Sequence, residues 1–252
     1  ISAIKAAGVD GQTPDPVHGK IVRDERGEPS GVFLESAIGL ISRAKPEADL
    51  ETLVDLLDHA QDHLLKFGIT GVHDVDGPPA FEAMQELKRR GRLRIRIVKY
   101  IRREVLDAVI DAGLRSGFGD DQLRLGGLKL FADGALGSRT AAMFAPYEQE
   151  PQNVGLLTLD PDQLQAIAER AAGNGLEMAI HAIGDRTNKL VLDVLTSVRD
   201  LNPTLRHRIE HVQLIAPEDQ ERLARNGFVA SMQPTHAIHA MGMSERYWGK
   251  RS

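Results

Sequence analysis

Three residues combine a reactive side chain with a position that ordinary packing does not explain. Lys129 lies inside the apolar run Leu125-Gly126-Gly127-Leu128-Lys129-Leu130-Phe131. Period-two alternation sends Leu128 and Leu130 one way and Gly127, Lys129 and Phe131 the other. A free ammonium in a strand covered on both faces is costly, so this lysine needs a partner, a lowered pKa or chemical conversion. A neutral amine can take up carbon dioxide and become an anionic carbamate able to bridge two cations. The plainer reading is a lysine reaching solvent from the end of a strand. His181 ends the strand-like EMAIHA, and His211 ends RIEHV one strand-helix unit later. A lone histidine in such a place is ordinarily a hydrogen-bonded core residue. Two at equivalent ends of consecutive strands, after a strand with an inward lysine, make a donor set suited to zinc or a similar divalent ion.

Other polar residues fall near the same strand ends. His73 and Asp74 end ITGVHD; His73 is a candidate substrate contact, and Asp74 either supports the site or orients a turn. Asp133, Gly134 and Ser138 sit in the loop directly after Lys129, as candidate substrate contacts. Gly134 and Gly137 permit close backbone approach to a ligand, or serve only as turn residues. Asp185 would hold His181 from behind or cap the following helix. His236, ending MQPTH, is a further candidate substrate contact. Glu210 flanks His211 with opposite parity, which points it away from the interior and toward an ion pair with a neighbour such as Arg208. His18, His59, His63, His207 and His239 read as ordinary surface or helix residues.

The elements that must position these residues alternate regularly from Pro46 onward. A helical stretch over 46–67 places Leu50, Leu53, Val54, Leu57, Leu64 and Phe67 on one face, and Gly68 closes it. Strands are predicted over 69–74, 94–101, 125–131, 177–182, 208–212 and 228–232. Helices are predicted over 79–90, 103–112, from 161, 188–199 and 217–225. Asp160 is placed as the N-cap of the helix from Pro161, with Gln163 at the capping-box position. Strands that alternate with single helices imply a parallel sheet with helical crossovers. An open doubly wound sheet and a closed barrel both fit. No GxGxxG follows the first strand, and the unusual polar residues fall at the C-terminal ends of several strands, which favours the barrel. Residues 1–45 are polar and rich in turns, with IVRD and GVFLE as two short strands of a hairpin. They read as an insertion or lid beside the barrel at 46–252.

Composition excludes several function classes. The 252 residues carry a formal charge of −5, which argues against nucleic acid as a partner. There is no cysteine, so disulfides and thiol nucleophiles are excluded and any metal takes nitrogen and oxygen ligands. No apolar run approaches the ~18 residues of a membrane span, and no signal-peptide pattern is seen. A cytoplasmic protein is expected, although the chain starts at Ile1 without methionine and both ends read as cut.

KLFADGALGSRTA, AIHAIGDR, RHRIEHVQ and ASMQPTH resemble, in that order, signatures of the amidohydrolase superfamily. The resemblance is nearest to its amidohydrolase-3 group, which includes N-substituted formamide deformylases. GITGVHD resembles an earlier strand of the family, and the motif around TPDP its preceding insertion. The resemblance implies a partial TIM-type (β/α)8 barrel in which strands two to seven are present. Lys129 would be the carbamylated or directly liganding lysine on the fourth strand, and His181 and His211 metal ligands on the fifth and sixth. It also implies one or two divalent ions, zinc by preference, and a small-molecule amide-type substrate. A homo-oligomer is compatible with it. No His-x-His precedes residue 69 and no strand with a catalytic aspartate follows Met232. The stretch is therefore expected to be a truncated piece, inactive alone, with no general base to assign. Two other readings compete. A barrel-derived module would bind a ligand without catalysis. A phosphate-binding lyase or isomerase would show a glycine-rich loop where this chain has QPTHAIHAMG.

Overall fold

The computed structural model describes residues 2–251. Helix α1 (Ser2–Ala6) leads into an antiparallel hairpin of β1 (Gly19–Arg23) and β2 (Pro29–Glu35), followed by α2 (Ile38–Ser42). Asp24 closes the hairpin turn by accepting from the Arg26 and Glu28 N–H groups. Val9, Ile21 and Ala37 form a small core under this segment.

The repeating units follow as α3 (Leu50–Lys66), β3 (Gly71–Asp74), α4 (Pro78–Arg89), β4 (Arg96–Arg102), α5 (Leu106–Asp111) and β5 (Leu123–Phe131). After a long irregular loop come α6 (Pro161–Gly173), β6 (Glu177–Ala182), α7 (Asp185–Val198), β7 (Arg208–His211), α8 (Pro217–Asn226) and β8 (Val229–Ser231). Local chemistry fixes the helix ends. Asp49 caps α3 through the Thr52 N–H at 2.8 Å, and Asp160 caps α6 through the Asp162 N–H at 3.0 Å. Gly227, at φ 69°, ends α8 in the left-handed conformation.

Strands β3 to β8 form one parallel sheet in chain order. One face packs on the helices. Leu128, Leu130, Met178, Ile180 and Ile209 meet Leu164, Ala168, Val191, Leu192 and Leu195 in the main core. The other face curls strongly. In a flat sheet β3 and β7 would stand about 19 Å apart, at ~4.8 Å per strand. Yet Arg208 Nη1 on β7 donates to His73 Nδ1 on β3 at 2.7 Å, across the hollow. The sheet is a partial barrel, and Lys129 faces its concave side.

Two irregularities matter for the site. Strict alternation would put Leu125 on the same face as Lys129. A bulge in the β4–β5 register, at Gly126, returns Leu125 to the helix side. A side chain at Gly126 would run into Val98 and Tyr100. The second is at the other end of the chain. Helices α9 (Thr235–His239) and α10 (Met241–Trp248) stand where no regular element was predicted. Both are short, and Ile238, Met241 and Met243 are exposed, so no apolar stripe announces them. Trp248 holds α10 in place, buried with Leu136, Met143, Tyr147 and Ile183. Among the described residues no helix is long and apolar enough to cross a membrane.

Candidate functional site

Neighbouring strands β5, β6 and β7 bring Lys129, His181 and His211 to one rim of the concave face. In register, Phe131 lies beside His181 and Ala182 beside His211. The two imidazole rings meet edge to face, 4.7 Å between centroids. The Phe131 ring connects them to the lysine: its centroid is 4.0 Å from Lys129 Nζ and 5.5 Å from the His181 ring. Lys129 is 7% exposed, and its ammonium donates to the Leu130 carbonyl at 2.7 Å.

Burial makes all three nitrogen bases readily neutral. It brings the Lys129 amine down to about 8, opposed by the Glu210 carboxylate and assisted by the Arg208 guanidinium. It brings His181 to about 4 and also lowers His211. The hydrogen bonds then choose the tautomers. His181 Nε2–H donates to the Gly134 carbonyl at 2.8 Å, which leaves the lone pair on Nδ1. His211 Nδ1–H donates to Gln233 Oε1 at 2.6 Å, which leaves the lone pair on Nε2. An outer partner that fixes a ring in this way is what metal-binding imidazoles require. The donor chemistry suits a divalent cation. Among the described residues no three His, Cys, Asp or Glu side chains are grouped to hold a metal ion.

The loop after Lys129 supports this rim from behind. Asp133 is buried, and its carboxylate accepts from the backbone N–H groups of Ala142, Ile183 and Gly184 at 2.9–3.0 Å. Burial outweighs those bonds and raises its pKa to about 6. Its Oδ1 lies 3.5 Å from His181 Nε2. Asp133 is thus enclosed beneath the histidine. Gly134 is needed for its place, since a side chain there would collide with Thr140 and Glu35. Ser138 bonds Thr140 at 2.6 Å and Ala135 O at 3.2 Å, and faces the hairpin. Thr140 also donates to Glu35 of β2 at 2.6 Å, which ties the hairpin to this loop.

The remaining candidates divide. His236 joins the rim: its ring lies 5.7 Å from that of His211, and Gln213 Nε2 donates to its Nδ1 at 2.6 Å. His73 is on the concave face but lower, stacked on Tyr100 and bonded to Arg208. Burial and the Arg208 charge depress its pKa. Asp74 is on the opposite face, paired with the buried Lys99, and does not meet the histidines. Asp185 accepts from the Phe144 N–H at 3.0 Å rather than touching His181.

Glu210 corrects the sequence reading. It does pair with Arg208, at 2.6 Å, but both face the hollow, where the Glu210 charge acts on Lys129, His181, His211 and His73. His211 is the residue that departs from the alternation, with φ 76°. Lys99 was missed altogether, although a lysine in IRIVKYI, between apolar neighbours, carries the same signal as Lys129.

A family model described as the amidohydrolase family (Amidohydro_3) matches residues 1–251. The LONG AFTER FAR-RED 3 protein of Arabidopsis thaliana is 33% identical over 250 residues, covering 94% of this chain and 43% of that protein. The N-substituted formamide deformylase of Arthrobacter pascens is 28% identical over 239 residues, covering 90% of this chain and 44% of that enzyme. The crystal structure of an uncharacterised metal-dependent hydrolase from Pyrococcus furiosus superposes with a TM-score of 0.80 at 29% identity. That match covers 99% of this chain and 50% of the archaeal one. The chain spans about half the length of the relatives it matches. On the family match, the chain belongs to the amidohydrolase family.

Proposed function

We propose that this chain supplies the metal-binding rim of a hydrolase that cleaves amide-type, non-peptide C–N bonds in small molecules. The observation that carries the reading is the pair of neutral imidazoles at adjacent strand ends, each held in a defined tautomer by an outer hydrogen bond. In this reading His181 Nδ1 and His211 Nε2 hold a divalent ion, zinc by the preference of such donors. Lys129 is the third donor, as the amine or as the carbamate formed when its neutral amine adds carbon dioxide and releases a proton. Its lowered pKa supplies that neutral form. The bound ion would polarise the scissile carbonyl and acidify a water.

The chain's own residues do the positioning. Asp133 locks the backbone at 142 and 183–184 behind His181, and Gln233 orients His211. Gln213 and His236 present polar groups beside that ring. No residue of this chain is given the role of general base. The family, and a relative named for N-substituted formamides, support the C–N class.

The lack of a three-donor His, Cys, Asp or Glu group among the described residues favours one competing reading, a module that binds without hydrolysing. Lys129→Ala in the full-length protein separates the two. Elemental analysis is expected to show zinc in the parent protein and at least tenfold weaker retention in the variant, with hydrolysis of an amide panel lost. A parent protein with no metal, and ligand binding indifferent to the substitution, would favour the module. The 252-residue chain alone is expected to bind zinc weakly and show no steady turnover. Stoichiometric tight zinc with turnover would contradict this.

A further inference from the structure

The hairpin of β1 and β2 reaches the rim through one peptide plane. Thr140 Oγ1 donates to Glu35 Oε1 at 2.6 Å and accepts from the Ala135 N–H at 3.0 Å. That N–H belongs to the same peptide as the Gly134 carbonyl, which takes the His181 Nε2–H at 2.8 Å. In a trans peptide the two groups point in opposite directions, so Thr140 holds one side of the plane and His181 the other. Glycine at 134 leaves that plane free to turn unless something pins it. An ionised carboxylate only accepts, so the Thr140 proton is committed to Glu35, and Ser138 Oγ, 2.6 Å away, donates to Thr140 in turn. Glu35 itself has φ 50°, a left-handed value that is strained in a glutamate. A glycine would end β2 there without strain, but would leave Thr140 without its acceptor.

We propose that Glu35 is a positioning residue: it orients Thr140, Thr140 pins the Gly134–Ala135 peptide, and that peptide keeps the lone pair of His181 on Nδ1. Residues 1–45 then act as a fixed brace for the rim rather than as a lid. Without the Glu35 acceptor, the Thr140 proton is free to turn toward Ser138 and the Gly134 carbonyl is free to swing away from the ring. The other acceptor nearby does not replace it. Asp133 Oδ1 is 3.5 Å from His181 Nε2, too far for a hydrogen bond, and is engaged by the Ile183 N–H. The loop itself outlasts the loss, because the Thr140 and Ala141 N–H groups bond the Ala135 carbonyl at 3.0 and 3.2 Å without Glu35. The brace's importance for metal binding rests on the hydrolase reading above; its effect on the ring tautomer does not.

The test reads ring-nitrogen NMR shifts of isotope-labelled histidine in the full-length protein with EDTA present, so that neither metal nor turnover enters. In the parent protein His181 is expected as the single Nε2–H form, its signal identified by its loss in His181→Asn. Glu35→Ala should divide that signal between the two tautomers and speed amide exchange at Ala135 about tenfold. The His211 signal, fixed by Gln233, should stay where it was. Glu35→Gln keeps an oxygen that accepts from Thr140 and should restore the parent spectrum. Thr140→Val removes the hydroxyl at nearly constant volume and should reproduce Glu35→Ala, so the test stands if Glu35→Ala fails to fold. An unchanged His181 signal in Thr140→Val or in a folded Glu35→Ala, or a Glu35→Gln protein that behaves like Glu35→Ala, would overturn the proposal while leaving the metal rim intact. On reloading with zinc, the variants with a released tautomer are expected to bind about tenfold more weakly. A released tautomer with zinc affinity unchanged would instead overturn His181 as a metal donor, and with it the hydrolase reading alone.

Discussion

His211 has φ 76° and Val212 φ 48°, left-handed values that cost roughly 1–3 kcal/mol in residues other than glycine. The strain has a visible result. Ile209 packs into the helix-side core, so regular alternation would carry His211 to that same face. The departure at His211 instead turns its imidazole toward His181. Parity read from RIEHV therefore failed at Glu210, while the inward direction of Lys129, two strands away and after the bulge, was legible. His207 shows the reverse error: taken for a surface residue, it is 1% exposed. Its Nδ1 accepts from the Met178 N–H at 3.1 Å, and burial lowers its pKa to about 4 from an ordinary 6.5. Below about pH 6.5 the unfolded chain binds a proton there that the folded chain refuses. The group thus costs no stability above that pH and progressively more as pH falls toward 4, to roughly 3 kcal/mol. Urea unfolding midpoints measured between pH 7.5 and 4.5 should fall more steeply in the parent protein than in His207→Gln, which keeps an acceptor but cannot titrate. Parallel slopes would show that burial of this ring is not the cause.

At the scale of elements, the alternating pattern and caps located all six parallel strands and the helices between them, because buried strands and amphipathic helices leave periodic traces. What remained illegible depends on contacts between elements. The β3–β4 pair is the clearest case. Asp74 closes a strand whose only sheet neighbour is β4, and its carboxylate holds the Lys99 ammonium, which also donates to the Asp76 carbonyl at 2.6 Å. The sequence left Asp74 between supporting the site and orienting a turn, since nothing in ITGVHD says which face a terminal side chain takes; its Oδ1 accepts from the Asp76 N–H at 3.1 Å, the turn role. The pair is asymmetric. The Lys99 side chain is 2% exposed and that of Asp74 16%, so a deserted lysine cannot reach water as a deserted aspartate can. Asp74→Ala should cost about 3 kcal/mol of unfolding free energy, and Lys99→Met clearly less. Thermal or urea unfolding of the two variants checks the order, and a reversed order would mean the lysine is not the confined partner.

For the chain as a whole, the described residues leave β3 and β8 as the edge strands of the partial barrel, on either side of a hollow that Arg208 already spans to reach His73. Each edge offers unpaired backbone groups on a short strand. The sheet's two edge strands have four and three residues, which limits but does not remove their capacity to pair. Apolar side chains lie near both: Phe67 and Ile69 lead into β3, and Met232 follows β8. Charge will not hold copies apart strongly, since the net formal charge is only −5 over 252 residues. The chain as given should therefore self-associate as its concentration rises, through edge pairing rather than through the helical layer. Sedimentation velocity over a hundredfold concentration range is expected to show the average mass climbing above that of one chain. Ala230→Pro removes a backbone donor from β8 and should reduce that climb, while a charge reversal on the outer helix α8, such as Glu221→Lys, should leave it unchanged. A monomer at every concentration, or an association that follows the helix variant instead, would place the sticky surface elsewhere.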